Sequence, residues 1–175
     1  MDWTLLVYRV PIEPSRHRVA VWRHLRRIGA VSLQGSIAGL PASEENLAAL
    51  RRTAAIVEAA GGEFFLLGAQ ALDEATKQRL EGLYTESVEA EYRELLAECA
   101  KFRAEIRKEI RIRKFTEAEL AEEEESFERL QRWAGVLAGK DVFGAPSRPE
   151  AERALKECAA ALDGYAAKVY AANAT

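Results

Sequence analysis

Hydrophobic positions change their period once along this chain. Up to about residue 70, short apolar runs alternate with helical stripes; beyond that point the spacing is helical throughout. The first run, WTLLVYRV from Trp3, has the length and the aromatic and β-branched content of a buried strand, and Pro11 closes it. Pro14 and Ser15 predict a helix start, with Ser15 able to cap free backbone N–H groups. In the following RHRVAVWRHLRRI, a turn of 100° per residue gathers Val21, Leu25 and Ile28, with Trp22 on their flank. Arg16, Arg23 and Arg27 fall together on the opposite side with Arg26 beside them, so one face is apolar and the other basic. Gly29 suits the helix stop.

Val31, Leu33, Ile37 and Leu40 around Gln34-Gly35-Ser36 read as a two-stranded hairpin ended by Pro41. Ser43, followed by Glu44 and Glu45, opens a second helix with Leu47, Leu50, Ala54 and Val57 at helical spacing, ending at Gly61-Gly62. Glu63 to Leu67 is a last strand. The order βαββαβ predicts an α+β chain whose N-terminal unit is ferredoxin-like.

From Asp73 the stripe Leu80, Tyr84, Val88, Leu95, Cys99, Phe102, Ile106 and Ile110 predicts one long helix. Thr116 to Glu119 reads as a capping box for the next helix, with Leu120, Phe127, Leu130 and Leu137 inward and the run Glu122–Glu125 in solvent. A loop from Gly139 to Pro146 leads to Ser147, the expected cap of a final helix with Leu155, Cys158, Leu162, Tyr165 and Val169 inward. The expected division is a ferredoxin-like domain over 1–71 and an all-helical extension of about three helices over 72–175.

Charge sharpens the picture. The 175 residues carry a net charge of −3, but residues 1–27 hold six arginines against only Asp2 and Glu13, a local excess of +4. Such asymmetry points to an anionic partner at one end, while the ordinary alternative is a solvated helix face. Arginine suits bidentate contact with phosphate and with small tetrahedral oxyanions alike. The candidate DNA- or anion-binding residues are therefore Arg9, Arg16, Arg23, Arg26 and Arg27. Trp3, Trp22 and Tyr8 could stack on bases, but their place in apolar runs favours core packing.

Other chemistry finds less support. His17 and His24 share a helix without a nucleophile motif beside them and read as surface or flanking residues. No phosphate-binding loop, dinucleotide fingerprint or zinc-protease motif is present, and the glutamates of the long helix lack the histidines a di-metal bundle needs. No cofactor, metal site or catalytic set is expected. Cys99 and Cys158 lie on apolar stripes, outside any C-x-x-C pair; Cys99 is the candidate should one of them be redox-active. No apolar run is long enough for a membrane span and no signal peptide is visible, which predicts a cytoplasmic protein with no membrane partner.

The segments LLVYRVPIEPSRHRVAVWRHLRRIGAVSLQGSIAGLP, EYRELLAECAKFRAEI, FTEAELAEEEESFERLQRW and DVFGAPSRPEAERAL resemble, in order and over nearly the whole chain, the N-terminal domain of the chromate resistance protein ChrB family. That resemblance implies a chromate-responsive regulator or accessory protein. Longer members carry a second, C-terminal domain; the resemblance, confined to the N-terminal domain up to Thr175, implies a stand-alone member that lacks it. It leaves three readings open: DNA contact through the basic helix, an oxyanion-binding or chromate-reducing enzyme with chromate or sulfate as ligand, and a plain protein-interaction module. The first 70 residues also resemble the ferredoxin-like domain of phenylacetate-degradation repressors and of the small CRISPR adaptation nuclease. In that nuclease an Asp closes the first strand and helps hold a metal ion. Arg9 stands there in this sequence and cannot hold Mg²⁺. Pairing through the sheets in that group implies a homodimer here.

Overall fold

The computed structural model describes residues 2–174. Its elements run β1 (Trp3–Arg9), α1 (Ser15–Arg27), β2 (Val31–Gln34), β3 (Ile37–Pro41), α2 (Glu44–Ala59), β4 (Glu63–Ala69), α3 (Glu74–Arg111), α4 (Glu117–Lys140) and α5 (Arg148–Asn173). This is a mixed α/β chain with one antiparallel four-stranded sheet and five helices among the described residues. The chain divides into two compact units, residues 1–87 and 88–175, so the boundary falls inside α3.

In the first unit the strands lie in the order β2-β3-β1-β4. Leu6 is fully buried and stands opposite Ala38 and Leu66, on the side where α2 packs against β1, β3 and β4. Val21 and Leu25 of α1, with Leu50, Ala54 and Val57 of α2, complete that core. Period-two alternation puts Leu5 and Val7 on the other face, in register with Leu67 and Phe65. Phe65 is 65% exposed and Leu67 48% exposed, so this second face stays open in its middle, while buried Trp3 at its end meets Tyr84 edge-on at 6.1 Å.

Local chemistry explains the connections. Gly29 (φ 72°) ends α1, where Gly29 N–H and Ala30 N–H donate to the carbonyls of Arg26 and Leu25. Gly62 is required by space: a Cβ there would lie 2.3 Å from the Arg9 carbonyl oxygen and 2.8 Å from Val57 Cγ1. Ser43 caps α2, its Oγ accepting from Asn46 N–H at 3.0 Å, as expected. Ser15 does not cap α1. Pro14 occupies the cap position and makes no side-chain cap bond, which leaves Ser15 as the first helical residue.

The second unit packs the later part of α3 with α4 and α5. Leu95, Cys99, Phe102 and Ile106 of α3, Leu130 and Leu137 of α4, and Ala151, Ala154, Cys158, Leu162, Tyr165 and Val169 of α5 are buried; α4 packs against α5, Phe102 lies 5.9 Å from Phe127, and Cys158 approaches Cys99. Thr116 Oγ1 accepts from Glu119 N–H at 3.3 Å, but the Glu119 carboxylate turns to Lys114 at 2.5 Å, so only half of the expected capping box forms. Ser147 does not cap α5 either. Its hydroxyl and its N–H both donate to Glu89, the N–H at 2.9 Å, tying the start of α5 to α3. The loop before it is built on Asp141, whose Oδ1 accepts from the N–H groups of Gly144 and Ala145 at 3.0 and 2.7 Å.

The Glu122–Glu125 run is not wholly solvated. Glu123 is buried at the inward position between Leu120 and Phe127, and burial followed by repulsion from Glu105, Glu109, Glu119 and Glu122 raises its carboxyl above the usual range. Glu109 is buried as well. Lys108 and Lys114 approach its carboxylate at 3.5 and 4.0 Å.

Candidate functional site

The basic surface is built by α1 and the end of β1. Val21 and Leu25 fix one side of the helix to the core, which turns the other side outward. Arg16, Arg23, Arg26 and Arg27 are all exposed, and so is Arg18. None of these five forms an ion pair among the described residues, and α1 contains no acidic residue at all. Arg9, closing β1, is also exposed; it approaches Glu63 at 3.8 Å with both side chains in water, a geometry worth little and readily exchanged. The structure thus places every expected arginine on the surface of one unit.

Arg18 has no place in the sequence-derived set. On a helical wheel it falls beside Leu25, the apolar side, so periodicity hides it. Ser15 to Ala20 are nevertheless exposed, except for half-buried His17, and the buried stripe of α1 begins only at Val21.

Two aromatic expectations part company. Trp3 is buried, as core packing requires. Trp22 is not: it is 53% exposed, and the Arg26 guanidinium sits 5.1 Å from its ring centroid in a cation–π contact. Tyr8, Arg9, Arg18, Trp22 and Ser36 line a cleft of about 280 Å³ where β1 ends beneath α1 and beside the β2–β3 turn. No carboxylate of the described residues lines it. The Tyr8 N–H donates to the Ser36 carbonyl at 2.9 Å and fixes the turn against the strand. Burial pushes the Tyr8 phenol above its usual value, so it stays a neutral hydrogen-bonding group.

His24 is a core residue rather than a surface one. Thr53 Oγ1 donates to the Ala49 carbonyl at 3.3 Å, which leaves the hydroxyl oxygen to accept from His24 Nδ1 at 2.7 Å. Burial first, then the charges of Arg27 and Arg52, lowers the His24 pKa. The imidazole is therefore held neutral and joins α1 to α2.

Cys99 is fully buried. The Cys158 thiol lies against it, with Cys158 Sγ 3.5 Å from the Cys99 carbonyl oxygen. The bond to Cys99, then burial, pushes the Cys158 thiol well above its usual range. These are two adjacent core thiols without access to solvent. Among the described residues, no group of three or more His, Cys, Asp or Glu side chains is placed to hold a metal ion, and no helix is long and apolar enough to cross a membrane.

A family model described as "Protein ChrB, N-terminal" matches residues 18–175. No match is found among curated proteins or among solved structures.

Proposed function

The chain belongs to the ChrB N-terminal family, which links it to chromate resistance, and from that premise we propose that it is a regulator or accessory protein of chromate resistance that contacts DNA phosphate through α1. The observation that carries this reading is the exposed row Arg16, Arg18, Arg23, Arg26 and Arg27, none of which forms an ion pair among the described residues, joined by Arg9 with its loose contact to Glu63 at 3.8 Å. Guanidinium groups left without acidic neighbours have their hydrogen-bonding capacity free for an anionic partner. Phosphate contacts of this kind fix position and affinity and carry no base sequence. The protein acts as a binding protein in the cytoplasm and not as an enzyme, and its first unit has the ferredoxin-like arrangement, supported by the order β2-β3-β1-β4. We divide it functionally at residues 71 and 72, with the helical part as a brace. The open sheet face around Phe65 and Leu67 supports a homodimer.

A labelled DNA duplex in fluorescence anisotropy tests the main reading. The parent chain binds at low salt, and the Arg16→Ala/Arg23→Ala/Arg27→Ala variant binds at least tenfold more weakly. Equal binding by the two chains removes the reading. The same arginines could instead hold chromate or sulfate, so calorimetry with each ion is the companion measurement: heat that disappears in the triple variant, without DNA binding in the parent, replaces DNA by a small oxyanion as the ligand.

A further inference from the structure

The cleft at the end of β1 combines features that a purely phosphate-contacting surface does not need. A half-exposed indole is costly to leave in water, and among the described residues only Phe65 on the open sheet and Tyr170 on α5 are aromatic rings of comparable exposure. Trp22 keeps one side against the Arg26 guanidinium at 5.1 Å and takes part in the wall of the cleft. The Tyr8 ring lines the same space. Arg9 and Arg18 stand at its edge, and the lining contains no carboxylate of the described residues. At about 280 Å³, the cleft lies just below the roughly 300 Å³ at which small-molecule sites begin. It has room for one flat ring and little more.

We propose that this cleft receives a single unstacked nucleobase still attached to its phosphate, with Trp22 and Tyr8 as the stacking walls and Arg9 and Arg18 on the phosphate. The inference rests on the proposed phosphate contact of α1 and narrows its partner: the preferred ligand is nucleic acid that offers a free base face, namely a single strand or a locally opened duplex. Base–aromatic stacking tolerates any base because each has a π-face, so the site selects strandedness and not sequence. Arg26 has a positioning role, holding the Trp22 ring through the cation–π contact without touching the base. The Ser36 turn, fixed by its bond from Tyr8 N–H, forms the fixed side of the cleft.

The test compares a short single strand, the matching duplex and a nucleoside monophosphate, each titrated against the parent chain, Trp22→Phe and Trp22→Ala, with circular dichroism to confirm folding. Three outcomes support the proposal together. The single strand binds the parent more tightly than the duplex. It quenches a part of the tryptophan emission that is absent from Trp22→Ala. The single-strand affinity falls roughly 5- to 150-fold in Trp22→Ala and recovers substantially in Trp22→Phe, the range that one stacked base supplies. Quenching by the monophosphate as strong as by the strand reassigns the cleft to free nucleotides and overturns the nucleic-acid form of the proposal. Duplex binding with no strand preference and no Trp22-dependent quenching overturns the cleft assignment while leaving the phosphate contact of α1 standing. Absence of binding to either polymer overturns both.

Discussion

The two units differ in how far their cations are paired. Along α3, α4 and α5, exposed cations such as Arg107, Arg129 and Lys156 alternate with paired ones: Lys140 pairs with Glu91 at 3.0 Å, Lys114 with Glu119 at 2.5 Å, Arg148 with Asp141 at 3.5 Å, and Arg103 with Glu157. In α1 five arginines stand in water without one acidic partner among the described residues. The sequence supplies acids generously to the helical unit and none to α1, so the contrast is written into composition before folding begins. It teaches that arginine count says little by itself. What separates a structural cation from an available one is whether folding brings a carboxylate within reach.

The strongest way to break this contrast is to remove the unpaired row. Replacing Arg16, Arg18, Arg23, Arg26 and Arg27 together by Ala should lower duplex affinity on the order of 1,000-fold at low salt, read by anisotropy, while the circular dichroism spectrum stays unchanged. Affinity within about threefold of the parent would show that available cations are not binding cations.

Next in size is the platform on which the row stands. Gly62→Ala places a methyl group 2.3 Å from the Arg9 carbonyl, and neither strand nor helix can yield easily. A loss of about 2–3 kcal/mol is expected. Hydrogen exchange should report it in residues of the first unit and hardly in α4 and α5. Equal acceleration in both units would mean that their stabilities are not separate.

A gain is expected inside the helical unit. Glu123 is buried among carboxylates, with its pKa raised, so its charged form is disfavoured by folding. The folded state binds a proton more readily than the unfolded one, and the cost is therefore largest at neutral pH and fades as pH falls below the folded pKa. Glu123→Gln should stabilise by about 1 kcal/mol at pH 7, raising Tm by about 2–4 °C, with no gain in acid. A lower Tm at neutral pH would contradict this.

The smallest effect concerns His24, whose pKa is lowered by burial and by Arg27 and Arg52. The unfolded chain takes up a proton near pH 6.5 before the folded one does, so stability of the first unit should decline as pH drops through that value toward the lower folded pKa. His24→Gln should flatten the dependence over that window in urea titrations. An unchanged slope would place the titration elsewhere.

Much of the fold was legible in sequence, because each βα or ββ junction carries its own chemistry: Gly29 and Gly61 at helix ends, Gly35 in the hairpin, Ser43 before Glu44. What escaped depended on partners outside the local cap. Ser147 meets Glu89, and Glu119 meets Lys114, so hydroxyl and carboxylate groups suited to local capping are spent elsewhere. His24 is buried because Thr53 accepts its N–H. Glu123 sits at a core-facing step within a run that looks uniformly polar. At the candidate site the arginines of α1 could be read from a 3.6-residue period, since it requires only which way the apolar stripe points. Arg18 and Trp22 could not, because they lie on or beside the apolar stripe and yet stay exposed on the cleft at the end of β1.

The slope of log affinity against log salt for a duplex tests the central claim most directly. Four or five phosphate contacts by α1 predict a slope of about −4, at roughly −0.9 per contact, reduced in magnitude by about 2 in Arg23→Ala/Arg27→Ala. A flat response, or a steep one that the double variant leaves untouched, would contradict the account.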